Sequence, residues 1–185
     1  VVPARMVYRY PRSLPLHAGI LAELYAVAVR GVRRTRPEPG DVIVLFGAGK
    51  VGLALLDVLR ASRALTLVSV DVDETRLAVA RRLGADVTLN PRTCDPVAEV
   101  RRLTAGRGAD KAIEAVGHPV AIPGQGTPVQ QAFQCIRSAG QVTVMGQGEQ
   151  TEPVYWRDFV IKEATVVTSR LNRGDFPRAI ALLEA

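Results

Sequence analysis

The chain is poor in residues that hold metal ions or form disulfide bonds. Only two cysteines and two histidines occur among its 185 residues. Cys94 and Cys135 are far apart and form no Cys-x-x-Cys pair, so we expect reduced structural thiols rather than a disulfide bond or a redox centre. His17 and His118 are equally dispersed. We therefore expect no complete zinc site within these residues.

Long apolar runs are also missing. The longest apolar stretches are interrupted by charged residues such as Glu23, Lys50 and Asp57, and none reaches the roughly 20 residues that span a membrane. The first residues lack the basic, apolar and small-residue order of a signal peptide. We expect a protein that does not enter a membrane and acts in the cytoplasm.

Lysine and aromatic residues are scarce, although the net charge is +6. All but three of the 24 basic residues are arginines, and they are spread along the chain. The densest group, Arg30, Arg33, Arg34 and Arg36, lies at the end of a predicted helix, where the C-terminus favours cations. No stacking platform or nucleic-acid motif accompanies the charge, so we predict a solvated arginine-rich surface and no nucleic-acid partner.

The main feature present is a glycine-rich turn, Gly47-Ala48-Gly49-Lys50-Val51-Gly52, directly after the apolar run 42–46. Gly47 permits a tight turn, and Gly49 lets the backbone approach a pyrophosphate. Gly52 lets the next helix pack closely on the sheet. The order of strand, turn and helix predicts a dinucleotide site with phosphates at the helix N-terminus.

An acidic residue follows at a matching distance. Asp71 closes the next apolar run, nineteen residues after Gly52. A carboxylate there can accept both hydroxyls of an adenine ribose and would repel a 2′-phosphate. The sequence therefore predicts NAD rather than NADP as the cofactor.

Strand and helix patterns alternate after Asp41. The predicted strands are 42–46, 66–71, 87–89, 111–116, 141–146 and 164–169. The predicted helices are 16–34, 50–61, about 73–84, one starting at Pro96, 128–138 and one starting at Asp175. Continuous apolar strands between helices indicate an α/β fold with a doubly wound parallel sheet, the Rossmann fold, with helices on both faces. The Pro- and Gly-rich segment 118–128 either borders the ligand edge or only connects two elements.

Several motifs together resemble the coenzyme domain of medium-chain zinc-type alcohol dehydrogenases. The motifs are Gly40-Asp41, 47–52, Asp71 with Arg76, Leu83-Gly84-Ala85-Asp86, Glu114-Ala115-Val116-Gly117, Gly140-Gln141-Val142 and Met145-Gly146. Lys162-Glu163-Ala164 and Ser169-Arg170-Leu171-Asn172 are similar to the sorbitol and threonine dehydrogenase branch. The resemblance covers nearly the whole chain.

The resemblance implies a set of cofactor-binding residues. It assigns Gly47, Gly49, Lys50, Val51 and Gly52 to the pyrophosphate turn, Asp71 to the adenosine ribose, Arg76 to the adenine, and Val116, Gly117, Met145 and Gly146 to the nicotinamide half. Ser169 and Arg170 match the edge near the carboxamide. Lys50 replaces a residue that is often small or apolar in the family, and its ammonium reaches either the phosphates or solvent.

The family's catalytic domain, with the motifs that hold zinc, has no counterpart in this sequence. We expect residues 1–40 to be a lead-in segment and helix from the junction with that domain, and 41–185 to be the NAD-binding domain. Zinc is expected only in the missing domain. Glu23 resembles a glutamate near the zinc in this branch, but Leu24 replaces the proline that usually follows. Glu23 is therefore either a zinc neighbour or an ordinary helix glutamate.

The resemblance implies a parent enzyme that transfers a hydride between NAD(H) and a small alcohol or polyol, and a possible homodimer through the edge strand near Val166. We expect the chain itself to bind NAD weakly, because half of the cleft is missing, and to turn over no substrate. One alternative is the coenzyme domain of an NADPH-dependent quinone or enoyl reductase, which Asp71 disfavours. A regulatory nucleotide-sensing domain and an S-adenosylmethionine methyltransferase are further alternatives, because both share the glycine turn and acid.

Overall fold

A single parallel sheet of six strands lies at the centre of the molecule. The computed structural model describes residues 1–62, 65–118, 121–149 and 153–185. The strands are β1 (Val42–Phe46), β2 (Thr66–Val70), β3 (Val87–Leu89), β4 (Ala109–Glu114), β5 (Ile136–Val144) and β6 (Thr165–Thr168). Their order across the sheet is β3-β2-β1-β4-β5-β6, and every neighbouring pair is parallel. This confirms the predicted doubly wound sheet.

Helices cover both faces of the sheet. They are α1 (Leu16–Thr35), α2 (Lys50–Ser62), α3 (Glu74–Arg82), α4 (Pro96–Leu103), α5 (Pro128–Cys135), α6 (Trp156–Lys162) and α7 (Phe176–Glu184). A 3₁₀ turn spans Ala4–Met6. Helix α6 was not predicted, because its seven residues are too few for a helical apolar period to stand out and none of them is buried. No helix in the described ranges is long and apolar enough to cross a membrane.

The alternation of side chains along β1 divides the core into two clusters. Ile43 and Leu45 belong to the cluster under α1 and α2, whereas Val44 and Phe46 belong to the cluster under α4 and α5. Successive side chains of a strand point to opposite faces. Both faces of β1 are therefore buried, which explains its uninterrupted apolar sequence.

Helix α1 packs into the first of these clusters. Its residues Val29 and Val32 share that cluster with Leu55 of α2. A Cβ at Gly31 would come within 2.5 Å of the Sδ of Met145, so α1 also lies close to the end of β5. Residues before Asp41 thus contribute to the same core, and the boundary at residue 40 stays a prediction.

The junction of α5 and β5 differs from the prediction. The predicted helix 128–138 ends at Cys135, and β5 begins at the next residue. Ile136 pairs with Ala109, and after a bulge the pairing resumes at Gln141. The strand therefore starts five residues before its predicted first residue, 141, because the bulged segment has no alternating apolar pattern.

Lys162 stabilises this early helix end. Its Nζ donates hydrogen bonds of 2.7 to 2.8 Å to the carbonyl oxygens of Phe133, Gln134 and Ile136. These carbonyls belong to the last turn of α5 and the residue after it, where acceptors lack intrahelical partners and a cation complements the helix dipole. The half-buried side chain of Lys162 thus supplies hydrogen-bond donors to the C-terminal end of α5.

We expect Lys162→Met to lower the free energy of unfolding by about 2 kcal/mol, because three carbonyls lose a charged donor. Chemical denaturation followed by circular dichroism measures this. Arg81→Met is the control, since Arg81 is an exposed cation in the last turn of α3. Equal effects of the two substitutions would show that Lys162 contributes only surface charge.

Candidate functional site

The candidate site lies at the carboxyl edge of the sheet, where the strand order reverses. β2 lies on one side of β1 and β4 on the other. The turns that follow β1, β2, β4 and β5 meet at this edge. In doubly wound folds a crevice for ligands opens at such a switch point.

The three glycines of the turn after β1 have different surroundings. Gly47 has φ +97°, a left-handed conformation, and a Cβ there would be 3.1 Å from the Cγ2 of Val116. A Cβ at Gly52 would overlap the carbonyl oxygen of Gly47. A Cβ at Gly49 would meet nothing within 4 Å. Only Gly49 therefore borders open space, which is where a pyrophosphate would need room.

Helix α2 begins at this turn. Its first N–H groups have no intrahelical acceptor, and they lie at the positive end of the helix dipole. The side chain of Lys50 is exposed and that of Val51 is half-buried. The geometry suits an anion at the helix N-terminus, held chiefly by backbone groups.

Asp71 connects two of the turns. Its side chain is only 7% exposed. One carboxylate oxygen accepts the N–H of Ala48 at 2.7 Å, and the other accepts the N–H of Asp73 at 2.9 Å. The guanidinium of Arg76 lies 3.8 Å from the carboxylate. The carboxylate thus fixes the glycine turn against the start of α3 and still has lone pairs for a ligand.

Asp73 is the N-cap of α3, as the sequence predicts. Its carboxylate accepts the N–H groups of Thr75 and Arg76. These two bonds hold the pKa of the Asp73 carboxyl below its usual value. The cap places the first turn of α3, and with it Arg76, beside Asp71.

A cleft beside Asp71 includes residues that the sequence analysis missed. Arg76 was predicted there, whereas Val116, which the resemblance assigns to the nicotinamide half, also lines this cleft. Further wall residues are Pro91, Gln131, and His118 and Ile122 of the segment 118–128. Pro91 and His118 follow the ends of β3 and β4, so their position after a strand is the signal that could have identified them. Residues 119 and 120 of the predicted segment 118–128 lie outside the described residues.

The turns after β4 and β5 form the other half of the site. Gly117 has φ +77°. The side chain of Met145 is buried in the core under α1 and α2, so only its backbone borders the edge. The carboxylate of Glu114 accepts the N–H groups of Val116 at 2.7 Å, Gly117 at 3.0 Å and Gly146 at 3.2 Å. The sequence analysis named Glu114 only within a motif and assigned it no role.

Three further predicted residues lie outside these two turns. Ser169 follows β6; it is buried, and its hydroxyl has no hydrogen-bond partner among the described residues. Arg170 is exposed. Glu23 is exposed on α1, and the described ranges hold no group of three or more His, Cys, Asp or Glu side chains that could bind a metal. The choice between a zinc neighbour and an ordinary helix glutamate for Glu23 stays a prediction.

Comparison with known proteins identifies the family. A zinc-binding dehydrogenase profile matches residues 51–185. (R,R)-butanediol dehydrogenase of Bacillus subtilis (strain 168) is 32% identical over 183 residues, which are 99% of this chain and 51% of that protein. Sorbitol dehydrogenase of the same strain is 32% identical over 146 residues, which are 79% of this chain and 39% of that protein.

Solved structures agree with the sequence comparison. The crystal structure of 2R,3R-butanediol dehydrogenase from Bacillus subtilis gives a TM-score of 0.85 at 32% identity, with 96% of this chain and 49% of that chain covered. The chain spans about half the length of the butanediol dehydrogenase, and its match to the sorbitol dehydrogenase covers less than half of that protein. It belongs to the zinc-binding dehydrogenases, the zinc-type medium-chain alcohol dehydrogenase family.

Proposed function

We propose that this chain is the NAD(H)-binding part of a zinc-type alcohol or polyol dehydrogenase. In that role it would position the nicotinamide for hydride transfer to or from an alcohol carbon. The observation that carries the proposal is the glycine turn. Among its three glycines, a Cβ at Gly49 would enter open space, whereas a Cβ at Gly47 or Gly52 would come close to neighbouring atoms. Relatives named butanediol and sorbitol dehydrogenases support the reaction class and a small alcohol or polyol as substrate.

The described residues fit the three parts of a dinucleotide. Asp71 and the cleft beside it would hold the adenosine. The N-terminus of α2 would bind the pyrophosphate through backbone N–H groups. The backbone at Gly117 and Gly146 would border the nicotinamide, which supplies or accepts the hydride when it is bound. The chain's own contribution is thus binding and orientation.

Asp71 supports NAD over NADP. Its buried carboxylate lies 3.8 Å from the guanidinium of Arg76. It accepts two backbone N–H groups, and these hydrogen bonds fix its position beside the glycine turn. A 2′-phosphate there would meet a negative charge in a position that cannot swing away. This argument also disfavours the alternative of an NADPH-dependent reductase.

The proposal assigns zinc to a part of the protein outside these 185 residues. Glu23, which resembles a glutamate near the zinc in this family, is exposed on α1. That metal would polarise the substrate oxygen as a Lewis acid. A cytoplasmic location stays a prediction.

Two glycine substitutions test the proposed function. We expect Gly49→Ala to fold normally but to bind NADH about tenfold more weakly, because its methyl group enters the pyrophosphate space. Gly52→Ala should instead lose about 2 kcal/mol of stability, because its methyl group overlaps the carbonyl of Gly47. Calorimetric titration with NADH and thermal unfolding measure the two effects.

Gly106→Ala is the control for both variants, since Gly106 also has open Cβ space but lies after α4, away from the site. Its φ of +85° makes some loss of stability expected, but its NADH affinity should be unchanged. Unaltered NADH binding by Gly49→Ala, or no saturable binding by the unsubstituted chain, would contradict the proposed function.

A charge change at Asp71 tests the cofactor preference. We expect the unsubstituted chain to bind NADH more tightly than NADPH, and Asp71→Asn to reduce that preference about tenfold, because the charge facing the 2′-phosphate is removed. Calorimetric titrations with both cofactors give the ratio. Asp73→Asn is the control, because it removes a neighbouring charge and asparagine retains the N-cap. A ratio that changes equally in both variants would show a general charge effect.

The proposal includes a homodimer through β6. This strand is an edge of the sheet, and its Val166 is 44% exposed. Trp156, Val160 and Ile161 of the neighbouring α6 are also exposed. An exposed edge strand beside apolar side chains is suited to pairing with a second sheet.

We expect Val166→Lys to convert the dimer to a monomer, because a charged residue on an edge strand opposes pairing. Size-exclusion chromatography with light scattering gives the mass. Leu103→Lys is the control, since Leu103 is similarly exposed (40%) but lies on α4, away from β6. A monomeric unsubstituted chain would contradict this part of the proposal.

A further inference from the structure

Glu114 is a buried carboxylate between the turns that follow β4 and β5. It is the last residue of β4, and it is 2% exposed. Its Oε1 accepts the N–H groups of Val116 and Gly117, and its Oε2 accepts the N–H of Gly146. Each carboxylate oxygen therefore serves a different turn.

The space around this carboxylate is fully used. A Cβ at Gly146 would overlap both Glu114 Oε2 and the backbone of Gly117. A Cβ at Gly117 would be 3.0 Å from the backbone nitrogen of Gln147. The two turns are therefore packed backbone to backbone, with the carboxylate as their shared acceptor.

The adenosine side of the site has its own carboxylate, although Val116 also lines the cleft beside Asp71. Asp71 is anchored by the N–H groups of Ala48 and Asp73, which belong to the turns after β1 and β2. None of the three hydrogen bonds to the Glu114 carboxylate involves those turns. The site thus has two carboxylates, each of which fixes one pair of neighbouring turns.

We propose that Glu114 is a positioning residue that sets the spacing of the β4 and β5 turns and thereby the seat of the nicotinamide. This inference rests on the proposed function. Glu114 acts through the backbone of Val116, Gly117 and Gly146, without contact to the cofactor. Its loss should weaken the nicotinamide half of the site more than the adenosine half, where Asp71 stays anchored by the N–H groups of Ala48 and Asp73.

Glu114→Gln separates these effects with little change in volume. A carboxylate only accepts hydrogen bonds here, whereas an amide has one acceptor oxygen and one donor nitrogen. The amide can accept from the β4 turn or from Gly146, and its NH₂ group then faces an N–H donor at the other turn. An unpaired buried donor is unfavourable, so the hydrogen bonds at one turn weaken. The N–H groups of Met145 and Gly146 keep the backbone carbonyl of Glu114 as an acceptor, so the β5 turn shifts without being released.

The test compares two ligands by calorimetric titration: NADH, and ADP-ribose, which lacks the nicotinamide. The unsubstituted chain should bind NADH more tightly than ADP-ribose. Glu114→Gln should weaken NADH binding about tenfold and change ADP-ribose binding less than about twofold. Glu114→Asp, which keeps both acceptor oxygens but has one methylene less, should give an intermediate loss.

Asp110→Asn is the matched control. Asp110 is also a buried carboxylate that accepts a backbone N–H, that of Val42, but it lies at the opposite edge of the sheet. It also pairs with Arg137 at 2.6 Å. The substitution should lower the thermal stability and leave the ratio of NADH to ADP-ribose affinity unchanged.

The outcomes are separable. Equal affinities of the unsubstituted chain for NADH and ADP-ribose, or a Glu114→Gln variant that loses both ligands equally, would overturn the role of Glu114 while the adenosine site stands. A ratio that also changes in Asp110→Asn would overturn it as well. Failure of the unsubstituted chain to bind either ligand would overturn the proposed function and this inference together.

Discussion

The close approach of α2 to the end of β1 is the constraint on which the rest of the site depends. The carbonyl of Gly47 occupies the space that a side chain at Gly52 would need. This contact directs the N-terminus of α2 towards the carboxyl edge of the sheet. It also brings the N–H of Ala48 to the carboxylate of Asp71, so the β1 and β2 turns form one unit. A greater distance between α2 and the end of β1 would remove both the anion site and the fixed ribose acceptor.

Most of the fold could be predicted because its signals are local. Each face of β1 packs against helices, so its sequence is continuously apolar, and Asp73 caps α3 as an N-cap residue should. The exceptions depend on distant contacts. Lys162 meets the carbonyls at the end of α5 from 26 or more residues away, and no spacing rule encodes that distance. Helix α6 has only seven residues, which are too few for its apolar spacing to be recognised from the sequence.

In the candidate site, too, the parts with local signals could be predicted and the parts that depend on distant contacts could not. The glycine turn and Asp71 are recognised by spacing along the chain, and the structure brings them together. The role of Glu114 depends on three backbone donors from two separate turns. Such a pattern has no signature in the sequence, because any acidic residue at a strand end looks the same before the turns are placed. Gln131 lies within α5, and it enters the cleft only through the placement of that helix.

The double use of Asp71 has an evolutionary consequence. The carboxylate that would select the cofactor also joins the β1 turn to the start of α3. A lineage that exchanged this residue to accept a 2′-phosphate would lose the acceptors of the Ala48 and Asp73 N–H groups in the same step. Selection would then have to supply a replacement acceptor near Ala48 before or together with the change. Cofactor preference in a chain built this way is therefore expected to drift slowly, through paired substitutions rather than single ones.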